Sequence, residues 1–467
     1  MRGDTFMSIS ENKNRRYFGT DGIRDIANRN NMTPEFALKV GRAFVSSLKK
    51  LGYKNINILV GRDTRYSGAM IQAALVSGIN SAGANVTDMG VVPTPGVSYT
   101  LSNNSYSGGV IISASHNPAE YNGIKLFNSN GYKLTDEDEL LVEEMLNFEH
   151  SENRPIREKI GVIISGLHHC EDYQKMLITL LSIVNKQDFK ITVDAANGAA
   201  SYFVGPIFEN WKANVCLLAN NPNGLNINDG VGVTHMNFIC EATIKNASKL
   251  GIAYDGDTDR VLMCDCKGRI IDGDIMLWIL ARWLASEKKL GSGVVATVMS
   301  NMILEDLLKE ENIKVFRCGV GDRYVMEEMR RTKSRLGGEQ SGHLIAQDYA
   351  NTGDGLSSGI LFLKAIEDLD EDISTLVDRF DRYPQILANV EIKNKKTIMD
   401  SSKLKVQLEK AENMLLGKGR VLLRPSGTEP LIRIFVESRS EELNNKIASM
   451  LKETIEAISM ENNSESI

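Results

Sequence analysis

Along the chain, short runs of β-branched and aliphatic residues alternate with longer stretches in which apolar positions recur every three to four residues, the pattern of α/β layers. Three runs predict a strand that enters a small-residue turn and then a helix: INILVGRDTR (56–65), FKITVDAANGAA (189–200) and GVVATVMSN (293–301). Each is followed by a second predicted strand that ends in a polar loop: GGVIISASHNP (108–118), LGIAYDGDTDR (250–260) and SRLGGEQSGH (334–343). Three copies of one plan predict three similar α/β domains with mixed sheets. In such sheets ligands collect beyond the carboxyl ends of the strands, where all three polar loops fall.

After Tyr383-Pro384 the pattern changes. ILANVEIKNKK reads as a strand, Ser401 to Leu416 as a helix, GRVLLRPSGTEPLIRIFVES as two strands around a turn, and the remainder as a helix. That order predicts a smaller α+β domain. The expected divisions are 1–160, 161–268, 269–383 and 384–467.

Composition narrows the class. A 467-residue chain exceeds one hydrophobic core, and its 42% hydrophobic and 24% charged residues are those of an ordinary globular protein. A net charge of −6 argues against nucleic-acid binding, which needs a basic face. No apolar run approaches the length of a membrane span, and MRGDTFMSISENKNRR lacks the apolar core of a secretory signal. The six cysteines show no CxxC pair; Cys264 and Cys266 are expected on one face of a strand rather than at a zinc ion. A reduced, cytoplasmic setting is expected.

Asp255, Asp257 and Asp259 alternate in IAYDGDTDRV, so an extended chain would turn all three carboxylates to one side. Oxygen-only ligands suit a hard cation such as Mg²⁺; without a cation or Arg260 the charges would repel. An EF-hand is excluded because Arg260 stands where that loop needs Gly and Cys266 where it needs Glu. The D-x-D-x-T of an aspartyl-nucleophile phosphatase is matched only in part, and a capped surface turn is the plain alternative. In SASHNP, Asn117-Pro118 turns the chain away from helix, placing Ser115 on a rigid, exposed turn. If that segment is extended, His116 points away from Ser115. The match of Gly355-Leu-Ser357-Ser-Gly359 to G-x-S-x-G lacks a preceding strand and reads as a helix start.

Arg424-Pro-Ser426-Gly427-Thr428-Glu429-Pro430, with Arg433, concentrates guanidiniums, hydroxyls and a glycine backbone in one turn, an oxyanion cradle. Gly321-Asp322-Arg323 opens a helix and could add amides for an anion. GGEQSGH sets Glu339, Ser341 and His343 in a glycine-rich loop that can grip sugar hydroxyls.

Together these residues resemble the α-D-phosphohexomutase family. The resemblance spans nearly the whole chain and rests on FGTDGIR (18–24), SASHNP (113–118), NGIKLF (122–127), DGDTDR (255–260), GEQSGH (338–343) and RPSGTEP (424–430), in the family's order. It implies four domains around a cleft and Ser115 as a phosphoserine, with Asp255, Asp257 and Asp259 binding Mg²⁺ together with its phosphate oxygens. It further implies Arg24, Lys125 and His343 near the reacting group, with Lys125 as an acid/base participant. His116, Arg260, Arg323, Glu339 and Ser341 would meet the substrate, and Arg424, Ser426, Gly427, Thr428 and Arg433 its idle phosphate. GEQSGH and NPNGLNINDG (221–230) are similar to the glucosamine branch. That implies exchange between glucosamine 6-phosphate and glucosamine 1-phosphate through a glucosamine 1,6-bisphosphate, supplying UDP-N-acetylglucosamine, in a monomer or homodimer. A glucose- or mannose-phosphate mutase, a metal phosphatase and a non-catalytic sugar-phosphate binder are the alternatives. The chain departs from the family at Asp25, Val231, Val233 and Thr258.

Overall fold

The structure is a computed structural model describing residues 15–19, 21–147, 154–185, 189–209, 211, 213–392, 394–425 and 430–464. It divides into two compact units, one running to Ser300 and resuming over Leu307–Arg379, the other of Asn301–Asp306 with the chain from Phe380 onward.

The first unit holds three sheets. The first has six strands in the order Ile23–Ile26, Tyr121–Asn128, Gly108–Ile112, Asn57–Arg62, Asn85–Val91 and Ile163–Ser165. Its last four strands run parallel, and Tyr121–Asn128 pairs antiparallel with both Gly108–Ile112 and Ile23–Ile26. The edge strand Ile163–Ser165 draws the sheet past residue 160, where the sequence pattern divides the chain. The second sheet is ordered Ile270–Ile271, Val261–Asp265, Leu250–Tyr254, Ile191–Asp194, Val215–Leu218. The third is ordered Val315–Cys318, Val294–Thr297, Leu336–Gly338, Leu344–Ala346. Gly108–Ile112, Leu250–Tyr254 and Leu336–Gly338 are therefore strands in three separate sheets, as the repeated pattern predicts.

Local signals explain the helices. Thr33 Oγ1 accepts from Phe36 N and starts the helix Pro34–Lys50, which carries Glu35 in its first turn and Lys49 and Lys50 in its last, matching the helix dipole. Asp354 caps Gly355–Leu369, so the G-x-S-x-G match is a helix start with Ser357 buried. The acidic run at that helix's end is less solvated than its charge implies: Trp283 Nε1 donates to Asp368 at 2.8 Å, and Arg282 pairs with Glu371 at 2.5 Å. Glu143 accepts the backbone amides of Arg16, Tyr17 and Phe18 at 2.7–3.0 Å and ties that segment to the helix Asp136–Leu146.

Cys264 is buried on Val261–Asp265, but Cys266 lies beyond the strand's end and is exposed. The shared strand face is thus corrected: the strand stops at Asp265, whose carboxylate takes the amides of Lys267 and Arg269 and turns the chain. Asp25 likewise accepts from the amides of Ile26 and Asn31, closing its own turn. Val231 and Val233 are buried apolar residues. Among the described residues no helix is long and apolar enough to cross a membrane.

The second unit has three antiparallel strands ordered Gln385–Glu391, Leu431–Ser438, Gly419–Pro425, with the helices Ser402–Leu415 and Glu441–Ser464 and a short Lys395–Asp400 that the sequence pattern does not resolve.

Helices Pro34–Lys50 and Gly68–Ser81 cross with backbones in contact, because a Cβ on Gly78 would overlap the Leu38 carbonyl and one on Gly41 that of Leu75. Gly78→Ala adds helix propensity worth roughly 1 kcal/mol but overpacks this crossing by about 1–3 kcal/mol. Thermal unfolding is expected to fall in this variant, against the sign that propensity alone would give.

Candidate active site

The aspartates converge by a turn, not by the extended chain expected from their spacing. Past Leu250–Tyr254, Thr258 N donates to the Asp255 carbonyl at 3.1 Å and Thr258 takes φ +65°, a left-handed value costly for a β-branched residue. The result brings one oxygen from each of Asp255, Asp257 and Asp259 within 4.8 Å of the others, all three buried. Burial, then the charges of Asp259 and Asp257, push the Asp255 carboxyl well up. Asp257 Oδ1 and Asp259 Oδ1 are buried with no hydrogen-bond partner. Two orphaned carboxylate oxygens in an all-oxygen trio fit a hard divalent cation.

Ser115 meets this loop from the first sheet. Its Oγ donates to Asp255 Oδ2 at 2.6 Å. Ser115 itself is buried rather than exposed, only 1% accessible, with Gly256 of the aspartate loop packed against its carbonyl, while His116 and Asn117 are half-buried. Its φ of +52° is left-handed, not extended, which brings His116 Nδ1 to 3.4 Å from Ser115 Oγ. The expectation that His116 points away is thereby corrected.

Lys125, on the neighbouring strand, places Nζ 2.7 Å from Asp257 Oδ2, 3.0 Å from Asp21 Oδ2 and 3.3 Å from Asp259 Oδ2. Burial alone would discharge it, but these carboxylates raise its pKa far above an ordinary lysine's, so it stands as a fixed cation. Arg24 pairs with Asp21 and reaches Asn117 Oδ1 at 3.5 Å. Arg260 N donates to Asp255 Oδ1 at 3.2 Å, with its Nε 3.9 Å from Asp259 Oδ1. Against burial, Lys125, Lys133 and Arg24 hold Asp21 well below the usual carboxylate range.

The glycine-rich loop of the third sheet docks on the same strand ends. Val261 N donates to Gly342 O at 3.1 Å and Gly355 N to Thr258 O at 2.9 Å. Glu339 Oε1 accepts from Gly321 N at 2.9 Å, and Glu339 and Ser341 are half-buried. Gly353 N donates to His343 Nε2 at 3.1 Å, which leaves the ring proton on Nδ1, 3.8 Å from Asp259 Oδ2. Burial lowers this imidazole's affinity for a second proton, but Asp259 and Asp322 raise it more.

Arg323 does not join the cluster. Its guanidinium pairs with Asp136 and with Glu139 at 3.0 Å, on the helix Asp136–Leu146. In the second unit, Arg424 and Arg433 are direct register partners on adjacent strands, so their side chains share one sheet face near the turn that joins the two strands. Ser426, Gly427 and Thr428 lie outside the described residues.

Several contributors are not singled out by sequence motifs. Thr94 Oγ1 donates to Asp257 Oδ2 at 2.7 Å. Lys133 bridges Asp21 and Asp322, and Asp322 lies 3.7 Å from His343 Nε2. Asp21 sits inside FGTDGIR, where the motif drew attention only to Arg24. Lys133 and Thr94 carry no local signal, since only the packing of separate sheets gives them their partners.

Family models of phosphoglucomutase/phosphomannomutase match this chain in order: alpha/beta/alpha domain I over residues 15–153, domain II over 171–268, domain III over 272–383, and the C-terminal domain over 387–454. The chain belongs to the phosphohexomutase family. A phosphoglucosamine mutase of Bacillus licheniformis is 42% identical over 447 residues, 95% of this chain and 98% of the relative. One from Lactococcus lactis is 42% identical over 449 residues, again 95% and 98%. Among solved structures, a Burkholderia thailandensis phosphoglucomutase/phosphomannomutase family protein superposes with a TM-score of 0.80 at 23% identity, covering 94% of this chain and 97% of its own. An Aspergillus fumigatus N-acetylphosphoglucosamine mutase, solved with GlcNAc-6P and magnesium, gives 0.67 at 17% identity, covering 95% and 96%. At these identities the phosphohexomutase structures speak for the fold.

Burial, then the guanidiniums of Arg260 and Arg24, depress His116 to about 4. The imidazole is thus expected to stay neutral through pH 6–8 in the unphosphorylated, metal-free protein. As pH falls from roughly 6.5, the unfolded chain gains a proton here that the folded chain refuses, so this residue's stabilising contribution is lost on acidification. Imidazole ¹⁵N shifts measured against pH check this; a midpoint near 6.5 would contradict the buried, cation-flanked placement.

Proposed function

We propose that this chain interconverts glucosamine 6-phosphate and glucosamine 1-phosphate, with Ser115 as phosphoryl carrier and glucosamine 1,6-bisphosphate as intermediate. The observation that carries the reading is the Ser115 hydroxyl bonded to Asp255 inside a buried carboxylate trio. The phosphoglucosamine mutase relatives, matched over 95% of the chain, point to the sugar. Asp255, Asp257 and Asp259, with the oxygens of phosphorylated Ser115, would hold Mg²⁺, which when bound neutralises and polarises the phosphoryl group.

The free hydroxyl of the sugar phosphate attacks phosphorus. A new P–O bond to the sugar forms as the bond to Ser115 Oγ breaks; Ser115 Oγ takes a proton from the Lys125 ammonium, and the proton leaving the sugar hydroxyl replaces it, so Lys125 ends as it began. The bisphosphate reorients and returns its other phosphoryl group by the reverse step. A phosphoserine carries about −1.5 to −2 charge, and Lys125, Arg24 and Arg260 supply the fixed positive charge it meets. Lys125, held as an ammonium by three carboxylates, is the acid/base participant as well as a fixed positive charge, while the His343 ring is oriented by Gly353. Glu339 and Ser341 hold sugar hydroxyls, with His116 at the phosphoserine. Arg424, Ser426, Gly427, Thr428 and Arg433 hold the idle phosphate. Arg323, engaged by Asp136 and Glu139, is left out of these contacts. The setting is a cytoplasmic one in amino-sugar metabolism.

Intact-mass measurement is expected to find one phosphate on the wild type and none on Ser115→Ala, which should lose about 10³-fold or more of isomerisation while still binding substrate. Chelation should abolish turnover and Mg²⁺ restore it. In a panel of glucosamine, glucose and mannose 6-phosphates the glucosamine ester should give the highest kcat/KM. Near-full activity of Ser115→Ala would sink the mechanism, and preference for another ester would sink the sugar assignment.

A further inference from the structure

Ser115 holds a left-handed backbone conformation that L-residues outside glycine seldom adopt. Such strain persists only where surrounding contacts over-determine it. Ser113 Oγ accepts from the Ser115 amide at 2.9 Å, and two further side chains grip the Ser115 carbonyl. Arg65 Nη2 donates to the carbonyls of Ser115 and Asn117, each at 2.8 Å, while its Nε pairs with Asp63 at 2.9 Å. From the second sheet, Asn228 Nδ2 donates to the same two carbonyls at 2.9 and 3.0 Å. Both acceptors are carbonyl oxygens, so the amide must face them with its NH₂ group. Asn228 is buried, itself left-handed at φ +57°, and anchored by its own amide to Ala196 O at 3.0 Å. Gly256, between Asp255 and Asp257, lies so close to the Ser115 carbonyl that an added Cβ would stand 2.7 Å from it.

We infer that Asn228 is a positioning residue: from the second domain it fixes the Ser115 turn, so that the phosphoryl group stays over the aspartates and transfers to the sugar rather than to water. This rests on the proposed phosphoserine reading. It also gives NPNGLNINDG a role beyond marking a sugar preference, because the loop grips the carrier.

The test uses two variants that respect the backbone. Asn228→Gly keeps the left-handed conformation and removes only the amide. Asn228→Asp keeps shape and conformation but turns an acceptor toward two carbonyls. For each, kcat, KM, melting temperature, and the ratio of inorganic phosphate released to sugar phosphate isomerised are measured beside wild type, with the exposed Asp229→Ala as control. The expected result is a kcat loss of about 10- to 100-fold for Asn228→Gly, more for Asn228→Asp, with KM within about twofold and the phosphate ratio raised several-fold. Asp229→Ala should match wild type. If kcat falls only in step with the folded fraction and the phosphate ratio is unchanged, or if both variants match wild type, the positioning role is overturned. Those outcomes leave the functional reading standing when the wild type carries phosphate and isomerises; a wild type that does neither sinks the functional reading itself.

Discussion

The site depends on the mutual repulsion of Asp255, Asp257 and Asp259. Two like charges about 4 Å apart repel by roughly 4 kcal/mol even at an effective dielectric of 20, and here three lie buried with their oxygens within 4.8 Å. The fold answers with cations in fixed places. Lys125 lies against two of the three, Arg24 and Arg260 stand beside them, and Asp21 and Lys133 continue an alternating line of charge to Asp322. Arg260 comes from the aspartate loop itself, but Arg24, Lys125 and Lys133 come from the first domain, so most of this neutralising charge arrives only when the first and second sheets bring their strand ends together. Asp257 Oδ1 and Asp259 Oδ1 still lack a hydrogen-bond partner, the place where a divalent cation would complete the balance.

Under the proposed phosphoryl-carrier reading, that constraint also accounts for the burial of Ser115. A serine activated by a neighbouring base needs only to reach its partner, whereas a serine that carries a phosphate between turnovers must hold a multiply charged group in register with a metal site. The left-handed turn at Ser115, the double grip on its carbonyl and the glycine at 256 serve that need together. Thr258 shows the same economy of space, since a strained β-branched residue stands at the apex of the aspartate turn.

The three-sheet plan and the separate C-terminal unit were legible in the alternation of apolar runs, because buried parallel strands read as short aliphatic stretches bounded by small residues. Ser115 and the aspartates were legible because their chemistry is packed into contiguous motifs. Three things were not. Backbone conformation at Ser115 and within 255–259 depends on turns held by residues far away, so spacing suggested extended chain where the structure has left-handed residues. The ion pairs of Arg323 with Asp136 and Glu139, remote in sequence, leave no local signal. Thr94, Lys133 and Asn228 have ordinary neighbours and acquire meaning only across sheets.

The edge strand Ile163–Ser165 closes the first sheet from beyond the segment that supplies its other strands. At the opposite edge, Ile23–Ile26 waits for Tyr121–Asn128. During synthesis, then, the earliest strand to leave the ribosome has no partner until some hundred residues later, and the far edge stays open until residue 165 emerges. Domains that fold as units during translation at ~5–20 residues per second would leave this sheet unfinished for several seconds. Its strands thus wait longer for their edge partners than those of the second and third sheets, which are complete within residues 191–271 and 294–346.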